Sequence, residues 1–321
     1  MKIFKSLLMT AFFALLIGSL NAQDLSEIFD LYKNGVKAAY QDAQYPQAIS
    51  SIERALQMVT SVEDDEQALA LKADCQQIIP QLYLSYAKEQ FKAKEYDEAL
   101  QSLQKAKDMA EQYANDDVQI AVGNFLPQIY TAKGTAAIEA GNIDAGLTEY
   151  YKALELDKNN STILLRIAFA LRAKDETGAI AAFDQVITME GAKVGDVATA
   201  KKQAATIYLK RAVAAQPEKK WSVMYENAQK AIGYDDTNMQ SFRAVGQSAI
   251  ELKKWKEAAE ASEIVLKTDT AAKDKNTIIY RLATAYENLN DKAKSCSYYK
   301  QLTGDANFKA FAEGKVKTLC Q

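Results

Sequence analysis

Small and apolar residues recur along this chain at spacings of three, four and seven positions, separated by charged residues. One such pattern begins at Tyr96, reaches Ala99 three residues later and Ala106 seven residues after that. The same spacing starts again at Trp255 and at Tyr45. Positions with this spacing share one face of an α-helix. Because small residues on a face let a neighbouring helix approach closely, the pattern predicts packed amphipathic helices.

The same periodicity predicts alternating helices joined by short turns along most of the chain. The expected pairs are 25–42 with 46–60, 130–140 with 144–156, 162–174 with 177–189, 199–215 with 220–233, 239–252 with 256–267 and 276–288 with 291–302, followed by a terminal helix at 308–320. Repeated units of this kind pack on their neighbours instead of sharing one central core. The pattern therefore predicts an all-α helical array.

Two segments predict helices that continue through a proline. Apolar residues follow one another at intervals of three or four on both sides of Pro80, and again on both sides of Pro127. A proline inside a helix removes one backbone hydrogen bond and bends the axis. We expect two elongated, kinked helices here, and the alternative is a pair of short helices broken at each proline.

Several of these units resemble the tetratricopeptide repeat family, whose unit is a helix–turn–helix of about 34 residues. Two units carry most of the family pattern, with Tyr130, Gly134, Ala137, Gly146, Tyr150 and Ala153 in the first and Phe242, Gly246, Ala249, Trp255, Ala258 and Val265 in the second. The resemblance extends over nearly all of residues 25–302. It implies a right-handed α-solenoid of about six to seven repeats over 23–303, closed by a C-terminal capping helix at 304–321.

The resemblance also implies a binding surface, because the first helices of this family line a concave groove that binds peptides or protein segments. By helical phase, the groove residues of this chain are Lys88, Phe91, Arg166, Phe169, Arg172, Lys210, Arg243, Gln247, Tyr280 and Arg281. Several of them are cationic, which suits carboxylates, and the aromatic ones suit a role as anchors. One subclass of the family clamps a C-terminal carboxylate with paired Lys and Asn residues. The asparagines of that clamp are missing, since Lys88, Thr135, Phe169 and Val213 occupy the corresponding positions.

The first 22 residues have the pattern of a secretory signal peptide. Lys2 and Lys5 precede an apolar run from 7 to 20, which is shorter than the roughly 20 residues of a membrane-spanning helix. We expect cleavage after Ala22, and an uncleaved anchor is the alternative. The mature chain is then expected in the periplasm or outside the cell, without a transmembrane span.

The composition argues against most catalytic chemistry. The chain has 0 His, which removes the histidine general base, histidine-activated nucleophiles and most catalytic zinc sites. The three cysteines have no close pair for a thiolate zinc site, and no glycine-rich phosphate loop is present. We therefore expect no catalytic residue, no metal and no cofactor. A hydrolase that uses two carboxylates is a third hypothesis, which no sequence feature positively supports.

Charge is distributed unevenly between the two halves of the mature chain. Residues 23–192 carry 15 Lys and Arg against 27 Asp and Glu, whereas residues 193–321 carry 22 against 15. The sequence favours a non-catalytic scaffold of the cell envelope that binds a protein or peptide in its groove. The alternative is a structural or assembly factor that docks peripherally on an anionic envelope surface through the basic half. An exported protein is not expected to bind nucleic acid.

The three cysteines leave at least one outside any intramolecular pair. Cys75 lies on the apolar stripe around Pro80 and is expected to be a buried core residue. Cys296 and Cys320 flank the last turn of the chain. If two antiparallel helices meet at Gly304, the two cysteines lie at different heights along the helix axes, about 12 Å apart, which is too far for a disulfide. If the terminal helix begins only near Phe308, this axial offset falls to about half. The sequence leaves open both a disulfide and two free thiols.

Overall fold

The computed structural model describes residues 22–62 and 65–320, and over these residues the chain forms fifteen α-helices and no strand. The all-α prediction is therefore confirmed, and residues 1–21 of the predicted signal peptide lie outside the described residues. The helices group into two compact units, the first reaching Ala140 and the second starting at Gly141.

The first unit contains five helices. They are α1 (Ala22–Tyr40), α2 (Tyr45–Thr60), α3 (Glu66–Lys92), α4 (Tyr96–Gln112) and α5 (Asp116–Glu139). Each helix packs against the next one along the chain, and α3 also contacts α1 and α5. This is the contact pattern of helical hairpins stacked side by side.

The second unit contains ten helices. They are α6 (Ile143–Leu156), α7 (Ser161–Leu171), α8 (Glu176–Thr188), α9 (Val194–Ala215), α10 (Trp221–Tyr234), α11 (Met239–Glu251), α12 (Trp255–Thr268), α13 (Lys275–Asn288), α14 (Lys292–Leu302) and α15 (Lys309–Leu319). Again each helix packs on its successor. In addition α7, α9, α11 and α13 contact one another in that order, so the first helices of successive hairpins form one layer.

The two proline-containing helices are continuous. Helix α3 is 27 residues long with Pro80 inside it, and α5 is 24 residues long with Pro127 inside it. Both prolines are buried. The prediction of elongated helices is confirmed, and the alternative of two short helices at each proline is wrong, because the apolar stripe is satisfied by packing on both sides of the missing hydrogen bond.

The repeated small residues lie where helices meet. Ala48, Ala55, Ala99, Ala106 and Ala258 are all fully buried. A small side chain at such a contact lets two helix axes approach to the short end of the usual 8–10 Å range. Cys75 is likewise buried and unpaired, as its place on the stripe predicts. Burial raises the pKa of its thiol to about 12, so the thiolate, which is the reactive form, is disfavoured.

Polar side chains fix where many of the helices begin. Asp65 accepts hydrogen bonds from the backbone N–H groups of Gln67 and Ala68, at 2.8 and 2.9 Å. Asn160 accepts in the same way from Thr162 and Ile163. These caps satisfy N–H groups that have no partner within the helix. They fix the start of α3 at Glu66 and that of α7 at Ser161, one residue before the predicted 162.

Several turns between paired helices place a residue other than glycine in the left-handed conformation. Lys253, between α11 and α12, has φ +58°, and Asn290, between α13 and α14, has φ +61°. Glycine adopts this conformation without the steric cost that a Cβ atom brings, and asparagine tolerates it better than lysine.

We therefore expect Lys253→Gly to raise the free energy of unfolding by about 0.5–1 kcal/mol. Urea denaturation followed by circular dichroism measures the change. Asn290→Gly is the control at the equivalent turn and should give a smaller gain. A loss of stability in Lys253→Gly would show that the lysine side chain contributes more than the strained backbone costs.

The last helix closes the second unit. Helix α15 packs on α14, and its Ala312 is fully buried beside Tyr299 and Leu302. A disulfide joins Cys296 of α14 to Cys320 at the end of α15, with Cα atoms 5.5 Å apart. The terminal helix begins at Lys309, near the later of the two starts considered from the sequence, and this shortens the offset between the two cysteines.

Candidate functional site

The layer of first helices in the second unit carries a row of basic side chains. Three of its helices have a fully buried alanine at an equivalent position, namely Ala168 in α7, Ala212 in α9 and Ala283 in α13. A basic residue stands two positions before each of them: Arg166, Lys210 and Arg281. Because equivalent positions on packed parallel elements face the same side, these three residues form a row, called here the basic row.

Two apolar side chains stand beside the basic row. The residue after the buried alanine is Phe169 in α7 and Val213 in α9, and these side chains are 40% and 52% exposed. Helix α11 has Gln247 at the corresponding position, half-buried. The face thus combines cations with exposed apolar surface. The surface made by the basic row with Phe169, Val213 and Gln247 is called the first-helix face below.

Phe169 is partly anchored in the core. Its ring packs edge-on against the buried ring of Phe183, with centroids 5.7 Å apart. The guanidinium of Arg172 lies 6.0 Å from the Phe169 centroid, and Arg172 also donates a hydrogen bond to Gln203 at 2.5 Å. One side of the Phe169 ring is therefore fixed, and the exposed remainder is available to a partner.

Arg243 is neutralised by two carboxylates from the α12–α13 connection. Its Nη2 lies 2.7 Å from Asp269, and its Nε lies 3.1 Å from Asp274. Burial lowers the pKa of Arg243, but the hydrogen bonds to these carboxylates outweigh that effect and the net pKa is raised. Arg243 is therefore part of an internal ion-pair network and not a free cation.

Arg281 differs from Arg243 although the two lie close together. It is half-buried, and among the described residues it makes no hydrogen bond, ion pair or ring contact. Burial lowers the pKa of its guanidinium, the Arg243 charge acts in the same direction, and Asp274 and Glu251 oppose it only through space. The result is a partly desolvated cation without a direct hydrogen-bond partner in the described residues.

The other sequence-predicted groove residues have varied positions. Tyr280 stacks on Phe308 at 5.2 Å and meets Phe311 edge-on at 5.6 Å, so the segment around α15 covers it. In the first unit Lys88 is exposed, whereas the ring of Phe91 packs on Phe125 at 5.2 Å within that unit's core. Tyr280 and Phe91 thus contribute to packing.

Sequence reasoning missed the two carboxylates that pair with Arg243. Asp269 and Asp274 lie outside the helical pattern, in the connection that folds back over α11. The exposed Val213 was also not among the predicted groove residues. Its position after a buried alanine, as for Phe169, is the signal that could have found it.

Two other kinds of site can be assessed over residues 22–62 and 65–320, a metal site and a membrane span. No group of three His, Cys, Asp or Glu side chains in this part of the chain could hold a metal ion. Within the same ranges, every helix is too short or too polar to cross a membrane.

The structure defines an all-α protein built from repeated helical hairpins.

No protein-family model and no curated protein matches the sequence. Many solved structures are similar. The TPR2AB domain of yeast Sti1, in a structure described as a complex with pHSP90, is 14% identical, with 92% of this chain and 99% of that chain covered and a TM-score of 0.35. A tetratricopeptide repeat protein from Parabacteroides merdae is 12% identical, and the match covers 92% of this chain and 100% of that chain with a TM-score of 0.29. The MamA protein is 18% identical, and the match covers 58% of this chain and 95% of that chain with a TM-score of 0.33.

Many of the similar structures are described as tetratricopeptide repeat proteins, and the all-helical repeats of this chain are consistent with that architecture. Helical repeats of this kind provide extended surfaces for binding other proteins. The particular surface and partner of this chain have to be argued from its own side chains.

Proposed function

We propose that the chain is a non-catalytic scaffold of the cell envelope, and that it binds another protein or an extended protein segment through the first-helix face. The observation that carries the proposal is the exposure of Phe169 and Val213 beside the basic row. Exposed aromatic side chains next to arginine are typical of protein interfaces. The envelope location rests on the signal-peptide pattern of the first 22 residues.

The proposal predicts that a partner is lost when the first-helix face is altered. A tagged chain would be expressed in its native cells, cross-linked and recovered, and co-purifying proteins identified by mass spectrometry. We expect a partner that is recovered by the natural chain and lost by Phe169→Ala combined with Lys210→Ala. Both side chains are partly or fully exposed, so circular dichroism should show an intact fold.

The matched control carries the same two changes on second helices of the same unit. Tyr151 is 50% exposed on α6, and Lys267 is exposed on α12. Tyr151→Ala combined with Lys267→Ala should retain the partner. Equal recovery by both double variants would reject the first-helix face as the binding surface.

The charge distribution favours one alternative function, a structural or assembly role in which the basic half docks on an anionic envelope surface. The +7 balance of residues 193–321, from 22 Lys and Arg against 15 Asp and Glu, is the observation behind it. Docking of this kind would weaken steeply between low and physiological salt, because exposed charges are screened beyond about 8 Å at 0.15 M. It would also be insensitive to Phe169→Ala, which distinguishes it from recognition by the first-helix face.

A further inference from the structure

The turns that join α9 to α10 and α11 to α12 end in the same basic and aromatic motif. Residues 219–221 read Lys-Lys-Trp, and residues 253–255 read Lys-Lys-Trp again. These motifs contain the only two tryptophans of the chain. All four lysines are exposed, and both tryptophans are half-buried as the first residues of α10 and α12.

The two motifs lie side by side at one edge of the second unit. Helices α9 and α11 contact each other, and so do α10 and α11 and α11 and α12. The ammonium group of Lys254, at the start of α12, lies 4.9 Å from the centroid of the Tyr225 ring in the first turns of α10. The starts of α10 and α12 are therefore neighbours. The surface made by residues 219–221 and 253–255 is called the lysine–tryptophan edge below.

The opposite edge of the same helices has the opposite charge. The turns at 216–220 and 252–254 contain four lysines and one glutamate, whereas the turns at 235–238 and 269–274 contain four aspartates and one lysine. Helix α11, which connects the two edges, has 13 residues and is about 20 Å long. This separation of charge orients the basic edge towards an anionic surface.

Two of the four lysines are held in an unfavourable backbone conformation. Lys220 pairs with Glu218 at 2.6 Å, and Lys254 contacts the aromatic ring described above. The side chains of Lys219 and Lys253 make no hydrogen bond, ion pair or ring contact within the described residues. Both have positive φ angles, +53° and +58°, where glycine is preferred. Lysine is thus kept at two successive turns against the backbone preference, and retained strain of this kind indicates function.

The residue types indicate the chemistry of the partner. Lysine is a compact charge on a flexible stem and lacks the rigid fork of arginine, so it suits a diffuse anionic surface better than one carboxylate in a fixed geometry. Tryptophan has an apolar body and a polar N–H, and it settles at the headgroup level of a bilayer. Clustered basic residues are attracted to the surface potential of anionic lipids.

We propose that the lysine–tryptophan edge docks the second unit on an anionic lipid bilayer. The four lysines attract the phosphate groups, and the two indole rings enter the headgroup layer. This inference rests on the envelope location in the proposed function. It adds a surface for attachment, separate from the first-helix face, and it narrows the contribution of the basic half to two turns.

Sedimentation with lipid vesicles tests the proposal. The chain used begins at Gln23, the predicted mature form, so that the apolar run of residues 7–20 does not contribute. We expect it to sediment with vesicles of mixed phosphatidylglycerol and phosphatidylethanolamine and to stay in solution with phosphatidylcholine vesicles. Binding should weaken as salt rises, because exposed charges are screened.

Two double variants with the same loss of charge give the decisive comparison. Lys219→Gln combined with Lys253→Gln should weaken binding to the phosphatidylglycerol vesicles about 10- to 30-fold. Lys273→Gln combined with Lys275→Gln is the matched control, because both of these lysines are exposed at the opposite edge. The control should change binding by less than about twofold, since that edge is farther from the bilayer than the screening length.

A glycine variant separates binding from folding. Lys219→Gly combined with Lys253→Gly removes the same two charges and relieves the backbone at both turns. We expect this variant to resist urea better than the natural chain and to bind vesicles as weakly as the glutamine variant. Full vesicle binding by the glycine variant would overturn the proposal.

Tryptophan fluorescence reports on the docking edge directly, because both tryptophans of the chain belong to it. Emission should shift to shorter wavelength on phosphatidylglycerol vesicles and should be quenched by brominated phospholipids. A chain that sediments with vesicles without either change would be docked by another surface, and the proposal would be wrong.

Three further results would overturn the proposal. They are equal sedimentation with phosphatidylglycerol and phosphatidylcholine vesicles, equal affinity of the Lys219 and Lys253 variant and its control, and lysine-dependent binding of polyglutamate while no vesicle binds. The last result would identify an acidic protein in place of a bilayer.

The vesicle experiment and the partner-capture experiment fail separately. If no vesicle binds but a native partner is still lost on changing Phe169 and Lys210, the scaffold proposal stands and the docking edge is wrong. If vesicles bind as expected and the partner survives those changes, recognition by the first-helix face fails and docking alone remains.

Discussion

Replacing Phe183 with alanine should lower the free energy of unfolding by about 3–5 kcal/mol. Its side chain is fully buried in the core formed by α7, α8 and α9, among residues that include Ala168 and Val186. Removal of a buried aromatic ring loses its transfer free energy and leaves a cavity that the surrounding helices fill only in part. The edge-on contact with Phe169 is lost as well.

The size of this effect is measured by urea denaturation, and its location by hydrogen exchange. In a repeat array each hairpin contacts only its neighbours, so we expect amide protection to fall first in α7, α8 and α9. Tyr151→Ala removes a similar ring that is 50% exposed, and it should cost less than about 1 kcal/mol. Similar losses for the two variants would mean that the α8 core is loosely packed.

Because Phe183 supports Phe169, its loss should also weaken binding at the first-helix face. Phe169 is fixed on one side by the Phe183 ring and exposed on the other. The Phe183→Ala change should therefore reduce partner recovery even at temperatures where the chain remains folded. Reduced recovery by a folded variant would show that Phe183 positions the first-helix face, and that the loss of binding is not due to unfolding.

The helices of this chain could be predicted because their signals are local. Periodic apolar positions, Asp and Asn caps, and small residues at contacts all act within one or two turns. The starts of α5 and α9 are exceptions: the structure begins α5 at Asp116, where the sequence suggested a paired helix from 130, and it begins α9 at Val194, where the sequence suggested 199. There Asp196 accepts hydrogen bonds from the hydroxyls of Ser161 and Thr162 on α7, a tertiary contact that no local pattern reveals.

The candidate site could be predicted only in part, for the same reason. Helical phase placed Arg166, Lys210 and Arg281 on the first helices, and the buried alanines two positions later agree with that phase. Helical phase does not predict which residues from other helices or connections contact the first-helix face. The pairing of Arg243 with Asp269 and Asp274 and the covering of Tyr280 by the terminal helix depend on how connections fold back over the array.

Removal of the disulfide is expected to have the second largest effect on stability. The bond between Cys296 and Cys320 closes a loop with a sequence separation of 24, for which the chain-entropy estimate is about 3 kcal/mol. We expect Cys296→Ala combined with Cys320→Ala to lower the free energy of unfolding by about 2–4 kcal/mol. Reduction of the natural chain should give a similar loss without any change of side chain.

The loss of stability on removal of the disulfide should be concentrated in α15 and α14, which the bond joins. Without the bond, α15 is held by noncovalent contacts, among them buried Ala312, Phe311 against Tyr280 and Tyr299, and Lys315, which pairs with Glu287 at 2.5 Å. Because α15 packs on one neighbouring helix at this end of the unit, it should exchange its amides faster and expose Tyr299, which is otherwise fully buried.

Hydrogen exchange with and without reductant measures this directly, with the first unit as the internal reference. Its Cys75 is a buried, unpaired thiol, so reductant leaves that unit chemically unchanged and its protection should stay constant. Unchanged protection of α15 after reduction would mean that side-chain packing alone holds the cap. Faster exchange would show that the covalent bond keeps the last hairpin covered, as the open end of a repeat array requires.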